Sequence, residues 1–375
     1  LATLFYEPST RTRLSFESAM LRLGGEIITS DDPAASSAKK GESLADTIRV
    51  ISNYADIIVI RHPRDGAARL AAEYSPIPVV NGGDGAHEHP TQTLCDLFTL
   101  TKKGKRAEGG KKPRRLEGMK VAISGDLKGS RTIHSFVYAL ARFGAIIEPM
   151  PASGMELPAH VDRRLREEFQ SKTISKNAES GEDQIDVLYV TSDKPHQQSL
   201  FSGPEVVDHG VAIQKKVDAV YVTRFQKERY SDDKKSPYMK IDAKFMKDAK
   251  YSDASVMHPL PRVDELDVDL DTDRRAVYFQ QAAYGVPIRM ALITMLLNLK
   301  NKSLQKFGDG FAKPTYPLYR QPISRGVRCV NKNCISHEPS EQQYVANKFF
   351  VVPDSASHGF RLRCVYCETD IEESA

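Results

Sequence analysis

Several features that would classify this 375-residue chain at once are missing from it. No apolar run approaches the ~18 residues of a membrane span, and no basic-then-apolar leader opens the chain, so neither a membrane protein nor a secreted precursor is indicated. Cysteine is scarce and unevenly placed. Of five in all, Cys95 stands alone in a predicted helix, while Cys329, Cys334, Cys364 and Cys367 share the C-terminal stretch. That is not a disulfide framework spread over a secreted protein, and a cytoplasmic location is expected. Nucleotide motifs are absent too: GDLKGSRT (125–132) lacks the spacing and the Gly-Lys-Ser/Thr ending of a P-loop, and no G-x-G-x-x-G follows a strand. Without HExxH or G-x-S-x-G, neither a zinc protease nor a serine hydrolase is indicated. The net charge of +4 is mild for this length; it suits small anionic substrates and does not by itself argue for nucleic acid.

What is present begins with EPSTRTRLSFESAM (7–20), which crowds Ser9, Thr10, Arg11, Thr12 and Arg13 just ahead of an apolar pattern. Phe16, Met20 and Leu23 recur at i, i+4 and i+7 and Gly24-Gly25 stops the run, so a helix is expected from near Thr10. A helix start offers backbone N–H groups without partners and a partial positive charge. Hydroxyls and an arginine added there suit a phosphate. An ordinary N-cap would need a single Ser or Thr and gives the arginines no role.

The rest of the chain alternates helix and strand. Leu44, Ile48 and Ile51 mark a helix face, ADIIVIR ending at Arg61 and PVVN (78–81) read as strands, and Pro90 opens a helix. The basic stretch Lys102–Arg115 reads as an exposed linker rather than an RNA-binding segment. KVAISG (120–125), a polar loop and a helix from Ile133 to Phe143 form a strand–loop–helix unit of a doubly wound sheet, and AIIEPM (145–150) resumes a strand. IDVLYVT (from Ile185) and VDAVYVT (from Val217) read as two similar buried strands, SGPEVVDHG between them as surface loop, and Val286–Leu299 as a long apolar helix. The chain opens at Leu1 without a Met, directly into motif-bearing sequence, so an N-terminal segment is expected to precede it.

Cationic or histidine groups follow strand after strand: Arg61, the loop with His87 and His89, Arg131, Arg224, and His258. Ligands of open α/β sheets bind beyond the carboxyl ends of strands, so this set describes a cleft for more than one anionic group. The motifs Ser9-Thr10-Arg11-Thr12-Arg13, Lys39-Lys40-Gly41-Glu42, Arg61-His62-Pro63, His89-Pro90-Thr91-Gln92, Arg131-Thr132, Thr223-Arg224-Phe225-Gln226 and His258-Pro259-Leu260-Pro261-Arg262 occur in the order seen in aspartate carbamoyltransferases, and the resemblance spans roughly Leu4 to Leu299. HPLPRVDE (258–265) discriminates, because ornithine carbamoyltransferases typically carry a Cys in that element and this chain has Pro259.

The resemblance implies transfer of a carbamoyl group from carbamoyl phosphate to the amino group of L-aspartate, in pyrimidine biosynthesis. It implies that Ser9, Thr10, Arg11 and Thr12 hold the phosphate with Arg61. Thr12, Arg61 and His89 would act on the carbamoyl oxygen, and Gln92 with Pro259 and Leu260 would complete the carbamoyl phosphate site. Lys40, Arg131, Arg224 and Gln226 would take the aspartate carboxylates, for which an arginine fork is suited. Ser36 and Lys40 match residues that reach a neighbouring subunit's site, which implies a catalytic trimer. No residue looks like a covalent nucleophile, and aligning two bound reactants needs none.

Cys329-x4-Cys334 and Cys364-x2-Cys367 have the spacing of a structural four-thiolate zinc site, against which two disulfides are the alternative. His337 is nearby but four thiolates already close a tetrahedron, and no organic cofactor is indicated. RCVNKNCISH and LRCVYCE further resemble the zinc domain of the regulatory chain of bacterial aspartate carbamoyltransferase, here joined to a catalytic chain without room for a nucleotide-binding domain. A nucleic-acid-binding ribbon is the competing reading, since Arg325, Arg328, Arg361 and Arg363 flank the cysteines, though no aromatic stacking platform accompanies them. The expected architecture is α/β: two doubly wound parallel-sheet domains of the carbamoyltransferase type plus a small zinc domain. Residues 1–112 would bind carbamoyl phosphate, 113–272 aspartate, 273–303 would return as helices to the first domain, 304–324 would be a linker and 325–375 the zinc domain. The stretch 171–216 is longer than the family pattern, and Ile185–Thr191 is expected to be an added strand.

Overall fold

A computed structural model describes residues 1–30, 41–103, 116–169, 171–175, 187–191, 216–227, 239–299, 322–324, 326–354 and 359–371. The chain divides into two compact units, Leu1–Thr91 with Gly285–Ala375, and Gln92–Tyr284.

The first unit is built on four parallel strands in the order β2-β1-β3-β4: β1 Ala2–Phe5, β2 Ile28–Ser30, β3 Ile58–His62 and β4 Val79–Asp84. Alternate residues of a strand face opposite sides, and here both sides are covered. On one side Phe5, Ile57, Val59 and Val80 pack against Phe16, Ala19 and Met20 of α1 (Thr10–Arg22) and Ile293 of the C-terminal helix Gly285–Leu296. On the other, Ala2, Leu4, Ile58 and Ile60 pack against α2 (Leu44–Ile51) and α3 (Ala67–Tyr74).

That second core does not stop at the helices. It continues into the cysteine module through Ile335, Phe349, Leu362 and Tyr366. The module is an antiparallel sheet in the order β11-β12-β13-β14, with β11 Ile323–Ser324, β12 Lys348–Asp354, β13 Gly359–Cys364 and β14 Asp370–Ile371. Polar contacts fasten it to the parallel half. Glu341 accepts from the backbone N–H of Leu44 at 2.6 Å, at the start of α2, and Tyr344 donates to Asp46 at 2.7 Å. Arg64 pairs with Glu338 at 2.8 Å, and Asp65 accepts from Asn331 and Asn333 at 2.8 and 3.0 Å.

The second unit holds a six-stranded sheet in the order β10-β9-β5-β6-β8-β7: β5 Lys120–Gly125, β6 Ile146–Pro151, β7 Ser171–Ser175, β8 Val187–Thr191, β9 Ala219–Thr223 and β10 Ser255–Met257. β10, β9, β5 and β6 run parallel. The strand expected at Ile185–Thr191 is β8, and it joins antiparallel to β6, with β7 antiparallel beyond it, so the sheet is parallel at its centre and mixed at one edge. Helices α4 (Pro90–Lys103), α5 (Arg131–Arg142), α6 (Ala159–Glu167) and α7 (Tyr278–Ala283) complete it; the C-terminal helix Gly285–Leu296 is α8. α5 begins two residues before the expected Ile133, which puts Arg131 at its first position. α8 ends at Leu296 rather than Leu299. Residues 304–321 of the expected linker 304–324, residues 104–115 of the basic stretch and SGPEVVDHG lie outside the described residues, and the linker's last two residues form β11 of the cysteine module.

Candidate active site

In each unit the strand order reverses direction beside its first strand, between β1 and β3 in one and between β5 and β9 in the other. Ligands of such sheets bind at the carboxyl ends of the strands flanking that point. Of the sequence-predicted residues, Ser9 to Thr12 and Arg61 follow the strands flanking that point in the first unit, and Arg131, Arg224 and Gln226 those in the second.

In the first unit β1 leads into the start of α1 and β3 ends on Arg61 and His62. Ser9 occupies the N-cap position of α1, yet its side chain makes no capping bond; its hydroxyl accepts from Arg61 Nη1 at 3.0 Å. Ser9 thus does not act as an ordinary cap. The helical ladder begins with Arg13 N–H donating to Ser9 O at 3.1 Å, so the amides of Thr10, Arg11 and Thr12 lie ahead of its first bond. Thr12 is buried, Thr10 and Arg11 are exposed, and Arg13 lies 3.8 Å from Glu17 on its own helix. Glu7 Oε2 lies 3.3 Å from Arg61 Nε.

His89 is buried at the end of a loop organised by two acids that sequence reasoning passed over. Asp84 accepts from the N–H groups of Gly66 and Glu88 at 2.8 and 3.2 Å and from Asn81 at 2.8 Å. Asp65 accepts from Ala86 N–H at 2.8 Å. Gly85, at φ 48°, passes so close to Asp65 that a Cβ would fall 1.7 Å from its carboxylate. His87 bonds Asp84 through Nδ1 at 3.0 Å. Burial works against its charged form, but that carboxylate, with Glu88 and Glu368 near, raises its pKa well above the ordinary histidine value. His87 is therefore tied into the loop through Asp84.

In the second unit Arg131, buried at the start of α5, and Arg224 and Gln226, just after β9, share the switch point between β5 and β9. Asp126 ties the loops together, accepting from Gly129 N–H at 2.7 Å and Gln226 N–H at 3.0 Å. Ser130 and Thr223 hydroxyls bond at 3.1 Å across the same two strand ends. In the turn carrying Pro259 and Leu260, His258 Nδ1 accepts from Leu260 N–H at 2.8 Å, and Leu260 adopts φ 56°. A side chain in that region costs roughly 1–2 kcal/mol, the kind of strain that marks functional turns. Glu265 bonds His258 Nε2 at 2.7 Å. Burial pushes Glu265 toward the neutral form, but that bond, with its own backbone N–H and that of Val263, holds its pKa below the ordinary value. Gln92 donates to Asp96 at 2.7 Å. Ser36 and Lys40 lie outside the described residues.

The four cysteines of the module are buried, unpaired as disulfides, and bring their Sγ atoms within 4.8 Å of one another. Cys329–Cys367 and Cys334–Cys364 are 3.4 and 3.9 Å apart. Both exceed the ~2.05 Å of a disulfide. They bracket the ~3.8 Å edge of a tetrahedron with metal–sulfur bonds of about 2.3 Å. The donor set fits a tetrahedral thiolate-bound ion. Two of the four arginines that suggested a nucleic-acid ribbon are committed elsewhere: Arg361 and Arg363 are buried and pair with Asp370 at 3.4 and 2.7 Å.

Residues 1–102 match the family profile of the aspartate/ornithine carbamoyltransferase carbamoyl-P binding domain, and residues 203–296 that of the Asp/Orn binding domain. The chain is 45% identical over 300 residues to the aspartate carbamoyltransferase catalytic subunit of Methanocaldococcus jannaschii, covering 79% of this chain and 84% of that one. It is 44% identical over 301 residues to the catalytic subunit of Archaeoglobus fulgidus, covering 79% and 85%. Among solved structures, the M. jannaschii catalytic subunit superposes with a TM-score of 0.58 at 44% identity, covering 79% and 84%. The Trypanosoma cruzi enzyme in complex with carbamoyl phosphate gives 0.56 at 33% identity, covering 78% and 82%. The chain belongs to the aspartate/ornithine carbamoyltransferase family. Its named relatives are of the aspartate type, and residues 321–375 match the metal binding domain of the aspartate carbamoyltransferase regulatory chain. One polypeptide thus joins a catalytic chain of that type to a regulatory-type metal-binding domain.

Proposed function

We propose that this chain transfers the carbamoyl group of carbamoyl phosphate to the amino group of L-aspartate, giving N-carbamoyl-L-aspartate and phosphate, a step of de novo pyrimidine (UMP) biosynthesis. The observation that carries the reading is Ser9, turned from capping α1 to bonding Arg61 at the switch point of the first sheet. A helix start, three hydroxyls and an arginine beside it make a site for a phosphate group. Within this reading Ser9, Thr10, Arg11, Thr12 and Arg61 hold the phosphate. Thr12, Arg61 and His89 donate to the carbamoyl oxygen, and Gln92 with the Pro259 and Leu260 carbonyls accepts from the carbamoyl amide. Arg131, Arg224, Gln226 and Lys40 take the aspartate carboxylates, so about four negative charges, two of them on the phosphate group, meet a matching set of cations.

The amine attacks the carbamoyl carbon directly, the C–O bond to phosphate breaks, and the amine's proton leaves on the departing phosphate. Alignment of two bound reactants supplies ~7–11 kcal/mol and an oriented donor to the developing oxyanion ~3–4 kcal/mol, so no covalent intermediate is needed. Residues 1–112 serve carbamoyl phosphate and 113–272 aspartate. The thiolates Cys329, Cys334, Cys364 and Cys367 hold one structural Zn2+, and reduced cysteines suit a cytoplasmic setting. Among the described residues no helix is long and apolar enough to cross a membrane.

The test is carbamoyl transfer measured in parallel with L-aspartate and L-ornithine, on the parent and on Arg61→Ala. Product with aspartate alone, abolished by Arg61→Ala at unchanged zinc content, is expected. Product with ornithine, or near-normal turnover in the variant, would refute the specificity or the site, respectively.

A further inference from the structure

Asp96 is fully buried in the second turn of α4 and is not a residue that ligand chemistry alone would single out. Its Oδ1 accepts from two side-chain amides at once, Gln92 Nε2 one turn earlier and Gln281 Nε2 on α7, each at 2.7 Å. Its Oδ2 accepts from the Tyr221 hydroxyl on β9 at 2.9 Å. Burial and the adjacent carboxylate push the Tyr221 phenol well above its ordinary pKa, so it stays a donor.

An ionised carboxylate accepts and cannot donate, so it dictates which way each glutamine amide faces. Gln92 must turn its –NH2 to Asp96, which leaves its carbonyl oxygen as the outward group. Gln281 must do the same, and its Oε1 accepts from His258 N–H at 2.9 Å. His258 in turn receives Leu260 N–H, which fixes the backbone of the turn that carries Pro259 and Leu260.

The geometry points to Asp96 as the positioning residue that makes three acceptors, Gln92 Oε1 and the carbonyls of Pro259 and Leu260, face one place with no donor among them, and so selects a substrate bearing –NH2 there. The inference rests on the reading of Gln92, Pro259 and Leu260 as carbamoyl-binding groups. Carbamoyl phosphate meets the requirement. Acetyl phosphate, with a methyl group in place of –NH2, does not, and an acceptor left without a donor disfavours it.

The test is a double-mutant cycle on the full zinc-loaded chain, with Gln92→Ala, Asp96→Ala and both, reading kcat/KM for carbamoyl phosphate and the ratio of acetyl phosphate Ki to carbamoyl phosphate KM. Asp96→Ala is expected to lower kcat/KM on the order of 10- to 100-fold, the cost of a misplaced contact. It should shrink the ratio and add little in the Gln92→Ala background. Asp96→Asn covers the case in which Asp96→Ala fails to fold. Its Oδ1 can receive both glutamines while its Nδ2 donates to a reversed Tyr221 hydroxyl, so near-parent kinetics are expected. Additive losses with an unchanged ratio, or an Asp96→Asn as impaired as Asp96→Ala, would overturn the orienting role alone. A Gln92→Ala chain with parent kinetics would overturn the site reading beneath it.

Discussion

Arg61 and His62 are consecutive, yet opposite physics applies to them. Arg61 keeps its charge against Ser9 and Glu7. The His62 ring packs edge-on against Tyr6 at 4.9 Å, and its Nδ1 accepts from Arg64 N–H at 3.1 Å. Burial first, and the Arg64 charge second, lower its pKa to about 4. In the unfolded chain His62 takes a proton as pH falls through about 6.5, whereas the folded chain refuses one until about 4. Folding stability is therefore expected to fall between those pH values by up to ~1.4 kcal/mol per unit for this one proton. His62→Phe keeps a ring beside Tyr6 and removes the titration. Denaturant unfolding of parent and variant across pH 4–7 should show the parent's curve steeper below about 6.5. Parallel curves would mean that His62 does not stay neutral in the folded chain. At this scale the position of the arginines was legible in the sequence, because Arg61 in one sheet and Arg131 and Arg224 in the other follow strands and so come to the carboxyl edges of their own sheets, where ligands of such sheets bind. The acids that organise the loops and turns, Asp65, Asp84, Asp96 and Asp126, were not. A lone acid after a strand or inside a helix has many solvated roles, and only the fold shows three donors converging on Asp96.

Elements were read best where their signals are local. α1 and α2 follow from apolar spacing, and α4 from Pro90 at its first position. The antiparallel direction of β8 was not readable, because an apolar run has the same composition whichever way it pairs. Nor was the seat of the cysteine module, which depends on residues nearly 300 positions apart, such as Glu341 receiving the first N–H groups of α2 at 2.6 and 3.4 Å. A side-chain acceptor at a helix start contributes about 1 kcal/mol, so Glu341→Ala should lower the melting temperature of the whole chain rather than of the module alone. Gly66 makes the same point sterically. It stands at φ 82°, where a Cβ would come within 2.6–2.7 Å of Tyr366, so Gly66→Ala should loosen the module from α3. Chelation should act more strongly than either change, because thiolates crowded without an ion repel and their core includes Leu44, Ile48 and Leu70. Calorimetry on parent, Gly66→Ala and chelated protein checks this. A module transition separate from the parallel half in the untreated parent would contradict the shared core.

For the whole molecule, the resemblance sets a stronger requirement than a folded monomer. If Ser36 and Lys40 complete a neighbour's site, each active site draws Arg61 from one copy and Lys40 from another. A cyclic trimer satisfies this with three equivalent sites. The arrangement can be tested without knowing the assembly's size. Arg61→Ala and Lys40→Ala chains should each be inactive alone. When they are mixed in equal amounts under conditions that exchange subunits, about one site in four pairs an intact Arg61 with an intact Lys40, on random closed assembly. The mixture should therefore regain about a quarter of the parent's activity, with L-aspartate KM at those sites unchanged. A mixture that stays inactive while light scattering shows exchanged oligomers would place Lys40 in its own chain's site or in none. Recovery near a quarter would make oligomerisation a condition of catalysis in this chain, with the metal-binding module carried along on every copy.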